Sequence, residues 1–571
     1  MENKNDTTAG RRSLTPYLSP LGVWALSFGC AVGWGAFVMP GTTFLPGAGP
    51  VGTACGMILG AVVMLIIGMN YHYLMNKYPD AGGTLTYTIK EFGYDHGFLS
   101  SWFLMLVYVA IIWANASALG LISKNLFGST FQFGFHYRIL GYDVFFGEAL
   151  LSLAAILICG GVCIKGKRLA AALQILFAFI LICGVIVCTA VIFGTQAVDY
   201  GTATPAFSNT SGHPMGQIFT IVALSPWAFV GFESVANSTE GFKFSPRKTI
   251  WIFAGALFAG AITYILLTQT AVTVVPEQYR DWTGYIADLG KHEGIEGLPV
   301  FHAAYATMGR IGVIILGLSA LAGIVTGLIG NFIAASRLMY AMSEEGILPE
   351  WFGRLNRDAS PGNALLFLMI ISVGIPFLGR TAIGWIVDVN TVGATIAYAY
   401  TSAAALNEAC KEKDRRIQTT GLIGLIMSVI FFIYFMSWSA GAMSTESYLI
   451  LATWSILGFV YFRRVFAKDT EKRFGKSTVV WIGLLFLIFF TSLMWVKQAT
   501  DEVTTKVVVN ISDYYESQDV IKESEVIADS EKYIAGQLNE VDRILTRNSI
   551  IQMILIMASL AIMFSVYMTI L

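Results

Sequence analysis

The chain has 571 residues, of which 55% are hydrophobic and 13% are charged, and its mean hydropathy is +0.65. Soluble globular domains have about 45–50% apolar and about 25% charged residues, so this composition excludes a soluble protein and indicates one embedded in a bilayer. The formal net charge of −1 provides no general attraction to nucleic acid.

About fourteen stretches of roughly 20 mostly apolar residues follow one another along the chain, and each is long enough to cross a bilayer of about 30 Å. We number them as predicted spans 1 to 14: residues 21–43, 49–75, 98–122, 144–163, 169–194, 216–240, 249–274, 306–341, 364–379, 383–406, 419–438, 445–464, 478–497 and 549–571. The predicted fold class is an all-α polytopic membrane protein with about 14 transmembrane helices.

Lysine and arginine cluster in alternate connections between these spans, in addition to the N-terminal tail. The clusters lie at residues 4–12, 165–168, 243–248, 411–416 and 463–476. Because basic residues mark cytoplasmic segments, we predict that the N-terminal tail, residues 1–17, is cytoplasmic. The polar tail precedes an apolar stretch that lacks a small-residue cleavage site, so no cleavable signal peptide is predicted.

Span 1 has two glycines near its centre, Gly33 and Gly35, on either side of Trp34. Glycine weakens a helix and lets backbone approach a ligand without an intervening Cβ. An interrupted helix would offer amides that suit a carboxylate and carbonyls that suit an ammonium group, and an α-amino acid carries both groups. Close helix packing explains a Gly-x-Gly pair equally well, so span 1 alone leaves both interpretations open.

Two asparagines lie deep in apolar spans: Asn115 in span 3 and Asn331 in span 8. An amide left unpaired in hydrocarbon costs roughly 2–7 kcal/mol, so each is expected to face the protein interior. Contact with a substrate and hydrogen bonding to a neighbouring helix remain open for both.

Span 6 contains Pro226, Gly231 and the acid Glu233. A carboxyl group inside the membrane is a functional-site hypothesis by default, and it could couple transport to a proton or substrate cation. It could equally brace a broken helix through hydrogen bonds. Trp227 lies six residues before Glu233, where an indole could gate a site from the outer side or simply pack.

Spans 1–5 and 6–10 form two groups of five, and each group opens with an interrupted span. Because five is odd, the second group has inverted topology relative to the first. Paired interrupted helices are the sequence feature that indicates the binding site of a secondary transporter. We therefore predict a five-plus-five inverted-repeat bundle over residues 18–410, with spans 1 and 6 discontinuous.

The remaining chain is predicted to form two further regions. Residues 411–476 hold spans 11 and 12 with an inner loop, and residues 477–571 hold span 13, an acidic extracytoplasmic helical segment at about 498–548, and span 14. Two spans flanking an external helical region resemble a bacterial sensory input module. The alternative function is therefore a substrate-sensing receptor that signals through spans 13 and 14 to a cytoplasmic partner or output domain.

Four segments resemble the amino acid–polyamine–organocation (APC) superfamily of secondary transporters, and the resemblance covers roughly residues 18–465. Residues 33–41 (GWGAFVMPG) are similar to the family's first-helix glycine motif, and residues 229–234 (FVGFES) to its sixth-helix motif. Residues 78–93 resemble the inner loop after the second helix, and residues 335–349 resemble the end of the eighth helix.

This resemblance implies a LeuT-like bundle with the substrate between unwound spans 1 and 6. It implies that amides near Trp34 and Gly35 bind the substrate carboxylate, and that the carbonyls of Ala31, Trp227 and Val230 hold the α-ammonium. Trp227 matches the family's gating aromatic residue.

Other implied site positions are Gly33 and Gly231, at the two breaks, and Asn115 and Asn331, which match site-facing positions. Trp227 is the implied gating residue, and Glu233, as an acid inside the membrane, is the predicted coupling residue.

Three features depart from the family pattern. The middle residue of the glycine motif, Trp34, is usually small. Some proton-coupled relatives carry a lysine in the fifth helix, whereas residues 170–194 contain none and Phe179 lies near the corresponding position. This leaves exchange, facilitated flux, Glu233 protonation or sodium coupling. Spans 13 and 14 exceed the family's usual twelve helices.

The sequence thus predicts secondary active or exchange transport of an amino acid across the cytoplasmic membrane by alternating access. A neutral amino acid is favoured because the predicted pocket is largely apolar, and a cationic one paired with Glu233 is the alternative. No catalytic constellation or metal-ligand spacing is present in the sequence, so neither enzymatic activity nor a metal or other cofactor is predicted. The expected partners are an amino acid or amine, the bilayer, H⁺ or Na⁺, and a protein or signalling domain at residues 477–571.

Overall fold

The computed structural model describes residues 16–139, 142–195, 201–209, 212–379, 381–436, 443–517, 534–539 and 541–551, and scattered residues up to 561. The chain forms two compact units, Met1–Phe435 and Met436–Leu571, which are described separately. The fold is all-α and polytopic: the described residues include nine helices long and apolar enough to span a membrane, or ten with one bent pair.

The first unit is built from helices that match predicted spans 1 to 11. They are α1 (Pro20–Ala31), α2 (Gly35–Met39), α3 (Leu45–Lys77), α4 (Thr84–Phe92), α5 (Tyr94–Phe127), α6 (Phe146–Lys165), α7 (Lys167–Gly194), α8 (Pro214–Ala223), α9 (Ser225–Ala228), α10 (Thr249–Thr273), α11 (Trp282–Ala287), α12 (Pro299–Glu344), α13 (Gly362–Ser372), α14 (Thr381–Glu412) and α15 (Arg415–Phe435). A short antiparallel hairpin, β1 (His136–Ile139) and β2 (Tyr142–Phe145), pairs His136 with Phe145.

Both predicted interruptions are present, so the prediction of discontinuous spans 1 and 6 is confirmed. In span 1, α1 ends at Ala31, Val32 is extended (φ −107°, ψ 98°), and α2 begins at Gly35. In span 6, α8 and the segment Ser225–Gly241 meet at an angle of 43°. Gly231 has φ +102°, which favours glycine, and a 3₁₀-helix follows at Phe232–Gly241.

Glycines also separate helices that follow one another without a loop. Gly49, with φ 65° and ψ −179°, divides spans 1 and 2, and an added Cβ there would lie 2.8 Å from the Phe207 backbone. Gly309, with φ 61°, divides residues 299–308 from the membrane-length part of α12. In both places a side chain would be strained, because L-residues rarely adopt positive φ.

The long helix α5 runs through the interior of the first unit. Of its most apolar 18-residue segment, 89% is buried, compared with 33% for α7 and 22% for α15. It packs against α12, α14, α4 and α6. Residues of α5, including Asn115, are therefore positioned to line an internal site.

Ion pairs tie together α3, α4 and α14 where α3 ends. Lys77 pairs with Glu408, and its Nζ lies 2.6 Å from Glu412 Oε1. Lys411 Nζ lies 2.7 Å from Glu91 Oε2 on α4 and 3.0 Å from Glu408 Oε2. These contacts hold that end of the bundle together.

The connection between α10 and α12 is ordered by local hydrogen bonds. Asp281 caps the short helix α11 and accepts bonds from the Thr283 amide (2.9 Å) and the Gly284 amide (3.3 Å). The hydrogen bond from the Thr283 side chain, with these amides, holds the pKa of Asp281 below its ordinary value. Trp282 is buried, and its Nε1 donates to the Pro205 carbonyl at 3.0 Å.

The second unit contains α16 (Thr445–Lys468) and α17 (Thr478–Ser517), which match spans 12 and 13. Trp481 of α17 packs on Phe459 and Phe462 of α16, with ring centroids 5.1 and 4.5 Å away. The helix α17 continues 20 residues beyond the predicted end of span 13 at 497, directly into the predicted acidic segment. Residues 518–533 of that segment and residues 562–571 of span 14 lie outside the described residues.

Candidate functional site

The breaks in spans 1 and 6 enclose a small cavity of about 40 Å³. Its lining comes from the two breaks and from α5, α10 and α14: Cys30, Ala31, Gly33, Trp34, Gly35, Ile111, Ala114, Asn115, Trp227, Val230, Tyr264, Ile386, Val387 and Asn390. Seven of the residues proposed from the sequence therefore lie together: Ala31, Gly33, Trp34, Gly35, Asn115, Trp227 and Val230.

The break in span 1 leaves backbone donors beside this cavity. Among the described residues, the amides of Gly33 and Trp34 have no hydrogen-bond acceptor, whereas the Gly33 carbonyl accepts from the Ala36 amide at 3.3 Å. Buried backbone donors are normally satisfied. Two such groups next to a cavity can therefore bind an anionic ligand group.

Glycine is required at the cavity wall because neighbouring side chains approach closely. An added Cβ at Gly35 would lie 2.6 Å from Cη2 of Trp227, and one at Gly33 would lie 2.9 Å from Oδ1 of Asn115. On α12, a Cβ at Gly327 would lie 2.7 Å from Nδ2 of Asn115. These glycines let spans 1, 3, 6 and 8 approach one another at the site.

Two amide side chains present unpaired oxygens in the buried lining. Asn115 donates from Nδ2 to the Ile111 carbonyl at 2.9 Å, but its Oδ1 has no hydrogen-bond partner. Oδ1 of Asn390 on α14 is likewise buried and unpaired. Because an unsatisfied buried acceptor costs about 1–3 kcal/mol, both oxygens are suited to accept from a ligand donor.

Tyr264 of α10 joins the two broken spans. Its hydroxyl lies 3.3 Å from the Ala31 carbonyl and 3.2 Å from the Ala228 carbonyl. The Tyr264 ring packs edge-on against Phe44 at 5.7 Å, and Phe44 in turn lies 6.4 Å from the Trp227 ring. Aromatic side chains thus cover one side of the cavity.

Comparison with known proteins agrees with this geometry. Residues 18–441 match the amino acid permease family. This chain belongs to that family. The permease is 25% identical over 362 residues to the branched-chain amino acid permease BcaP of Lactococcus lactis subsp. cremoris, which spans 62% of this chain and 73% of the relative. It is 24% identical over 389 residues to the methylthioribose transporter of Bacillus subtilis, spanning 67% of this chain and 79% of the relative.

A third relative is the vacuolar cationic amino acid transporter 8 of Arabidopsis thaliana, 24% identical over 381 residues, which spans 65% of this chain and 60% of that protein. The family and these relatives are transporters, and the names of the family, BcaP and the Arabidopsis relative support amino acid transport. The membrane-length helices indicate a multi-pass membrane protein.

In the permease, Glu233 lies beside the break in span 6 and outside the cavity lining. Its Oε2 accepts from the Gly231 amide at 2.8 Å and from the Tyr398 hydroxyl at 3.1 Å. The Tyr398 ring lies 5.9 Å from Phe232 and 6.3 Å from Tyr71. Oε2 thus links the break in span 6 to Tyr398 of α14, while Oε1 remains buried and unpaired.

Two of the proposed site residues are placed away from the lining. Gly231 has its α-carbon against α1, where an added Cβ would lie 2.6 Å from Cβ of Cys30. Asn331 is fully buried and donates from Nδ2 to the Gly327 carbonyl at 2.8 Å. It is Gly327, one turn earlier, that approaches Asn115.

Sequence reasoning passed over three residues that the structure brings to this region: Tyr264, Asn390 and Gln174. Asn390 could have been found by the reasoning applied to Asn115, because it is also an amide in an apolar span. In span 5 the sequence singled out Phe179, but this side chain is 43% exposed and points away from the interior. The buried polar residue of that span is Gln174, which is 2% exposed and donates to the Thr326 carbonyl at 3.1 Å.

Proposed function

We propose that this permease transports a neutral amino acid by alternating access, as a secondary active or exchange transporter of the cell membrane with a cytoplasmic N-terminus. The observation that supports neutrality most directly is the cavity lining, in which no described residue is charged. A charged substrate side chain would have to be desolvated there without a partner, which is costly.

The substrate backbone would meet complementary groups at the break in span 1. The unpaired amides of Gly33 and Trp34 suit the carboxylate, assisted by the positive end of α2. The carbonyls of Ala31 and Val230 suit the α-ammonium. Tyr264 already donates to the Ala31 carbonyl, so an ammonium group would share that oxygen through its second lone pair.

The substrate side chain would lie against aliphatic residues. Ile111 and Ala114 of α5 face the cavity together with Ile386 and Val387 of α14. Each Å² of apolar substrate surface that is buried against these residues contributes roughly 25 cal/mol to the binding free energy. The walls therefore favour a substrate with an aliphatic side chain. The relationship to a branched-chain amino acid permease is consistent with this preference.

Binding requires the cavity to enlarge. A volume of about 40 Å³ holds only a few water-sized spheres, since one water needs about 10–15 Å³ by the same measure. Trp227 is the side chain whose movement would enlarge it most directly, because the indole packs onto Gly35. Alternating access requires a site that opens to admit the substrate and then closes around it, and a cavity that enlarges when Trp227 moves fits that requirement.

Relatives named as cationic amino acid transporters make a cationic substrate the competing proposal. Such a substrate needs a carboxylate, and the buried acid near the cavity is Glu233. Its Oε2 is engaged by Gly231 and Tyr398, and Glu233 lies outside the lining. The geometry therefore favours the neutral class.

A binding panel tests this proposal. The purified full chain is heated with each of the twenty amino acids, and the thermal midpoint is recorded. We expect stabilisation by one or more neutral aliphatic amino acids, lost in Asn390→Leu and retained in the control Gly161→Ala, a site with no atom within 4 Å of the added Cβ. Stabilisation by arginine or lysine alone would contradict the neutral assignment.

A flux assay separates a transporter from a sensor. Proteoliposomes with imposed H⁺ or Na⁺ gradients, or with internal substrate, identify the driving force. Binding without flux under every gradient would favour the receptor alternative.

A further inference from the structure

A second, larger cavity of about 670 Å³ opens between α5, α6 and α12, and it shares no lining residue with the candidate substrate site. Its walls are mainly aliphatic and aromatic, and Leu119, Leu126, Gly317, Leu318 and Leu321 are representative. Leu318 is 54% exposed and Leu321 is 43% exposed, so the cavity is a groove open to the surroundings.

The groove has the length of one lipid leaflet. Its α12 wall runs from Arg310 to Ile324, which at 1.5 Å per residue is about 21 Å. One leaflet of a bilayer, including its headgroup region, is about 20–22 Å thick. The α5 wall runs from Leu119 to Phe127, which is the C-terminal end of α5 and precedes the β1–β2 hairpin.

One end of the groove carries a cation, Arg310, which is exposed and follows directly on the break at Gly309. Among the described residues it has no hydrogen bond or ion pair, and the described lining of the groove contains no acid. A guanidinium at a membrane boundary extends towards polar headgroups and prefers an anionic partner. Tyr305, 47% exposed, lies at the same end, where aromatic residues favour the interface.

We propose that this groove binds an anionic phospholipid, with an acyl chain between α5 and α12 and the headgroup phosphate on Arg310. Charge complementarity selects this occupant, because a lipid of net negative charge neutralises the guanidinium, whereas a zwitterionic lipid adds a second cation beside it and an apolar helix leaves it unpaired. The site has a direct connection to the substrate cavity: Leu119 lies one turn from Asn115 on α5, and Ile324 lies one turn from Gly327 on α12. Occupancy therefore stabilises the two helices that frame the substrate site.

The test measures lipid binding itself and does not depend on transport. Purified full-length protein is delipidated and titrated with phosphatidylglycerol, phosphatidylcholine or inorganic phosphate, and bound lipid is counted by native mass spectrometry. We expect retention of phosphatidylglycerol over phosphatidylcholine, reduced about fivefold in Arg310→Gln, which is the factor associated with one basic residue near an anionic surface. Arg280→Gln, which removes an exposed basic residue from the connection between α10 and α12 and outside the groove, is the matched control and should change nothing.

A second pair of variants tests the apolar part of the site. An added Cβ at Gly317 points at Leu126, 3.2 Å away, so Gly317→Leu narrows the groove and should reduce retention of both lipids. Gly161→Leu, in open space on α6, should not. Equal retention of both lipids by wild-type protein, an unchanged ratio in Arg310→Gln, or binding of inorganic phosphate as strong as that of phosphatidylglycerol would overturn the proposal.

Discussion

The contact between Gly35 and Trp227 offers the most quantitative prediction. In Gly35→Ala the new Cβ would lie 2.6 Å from Cη2 and 2.9 Å from Cζ2 of Trp227. Carbon atoms pack at about 3.5–4.0 Å, so the indole or the backbone must move by about 1 Å. Overpacking of this kind costs typically 1–3 kcal/mol. This strain should lower the free energy of unfolding of the ligand-free protein by about 1–3 kcal/mol, because the close contact belongs to the cavity before it enlarges for substrate.

The assay is thermal unfolding of the ligand-free protein, and a double-mutant cycle identifies the cause. Trp227→Phe removes the two ring atoms that the new Cβ would meet, so Gly35→Ala should have much less effect in that background. Gly161→Ala is the neutral control. The reasoning would be refuted if Gly35→Ala lowered the free energy of unfolding by the same amount in both backgrounds.

Three further outcomes follow from the hydrogen bonds. Glu233→Ala should lower the free energy of unfolding by about 1–3 kcal/mol, because the Gly231 amide loses its buried acceptor. Glu233→Gln keeps an oxygen at that place and should lose less. Equal losses of the two variants in thermal unfolding would argue against a bracing role for Glu233. Tyr264→Phe should lower the thermal midpoint, by roughly 1 kcal/mol of stability, because two backbone carbonyls lose a donor; an unchanged midpoint would contradict this. The folded-state pKa of Asp281 is lowered by Thr283 and nearby amides, so its stabilising contribution is fully present above its unfolded pKa of about 3.9 and is lost as pH falls through the folded pKa. The stability difference between wild type and Asp281→Asn should therefore be constant above about pH 4 and shrink below it, and a difference that grows on acidification would be inconsistent with the assigned shift.

The breaks in the fold could be predicted because their causes are local. Glycine and proline inside an apolar span weaken the helix wherever tertiary structure places it, so Gly33, Gly35, Pro226 and Gly231 were sufficient to place both interruptions. The same local reasoning recognised Asn115, because an amide in hydrocarbon must face the interior.

The helix faces could not be predicted from those rules. Asn331 met the same criterion as Asn115, and each amide donates to the carbonyl one turn earlier in its own helix, yet only Asn115 lines the cavity. On α12 it is Gly327 that provides the close approach to the site. The role of Tyr264 was also hidden, because a tyrosine in an apolar span resembles an ordinary packing residue until two broken helices place carbonyls beside its hydroxyl. Which side chain faces the cavity depends on how helices distant in sequence are rotated against each other, and this cannot be derived from the sequence of one span.

The length of α17 shows a similar limit. Hydropathy ended span 13 at residue 497, whereas the helix continues to Ser517. Polar residues end an apolar span without ending a helix, because the backbone hydrogen bonds do not depend on side-chain polarity.

Counterflow in proteoliposomes tests the central claim most directly. Vesicles containing the purified full chain are loaded with an unlabelled neutral amino acid identified by the binding panel, and uptake of the radiolabelled amino acid is followed. The account predicts saturable uptake that is abolished in Gly35→Leu and preserved in Gly161→Leu. Tight binding without any uptake, or uptake that Gly35→Leu leaves intact, would contradict a transport site at the breaks of spans 1 and 6.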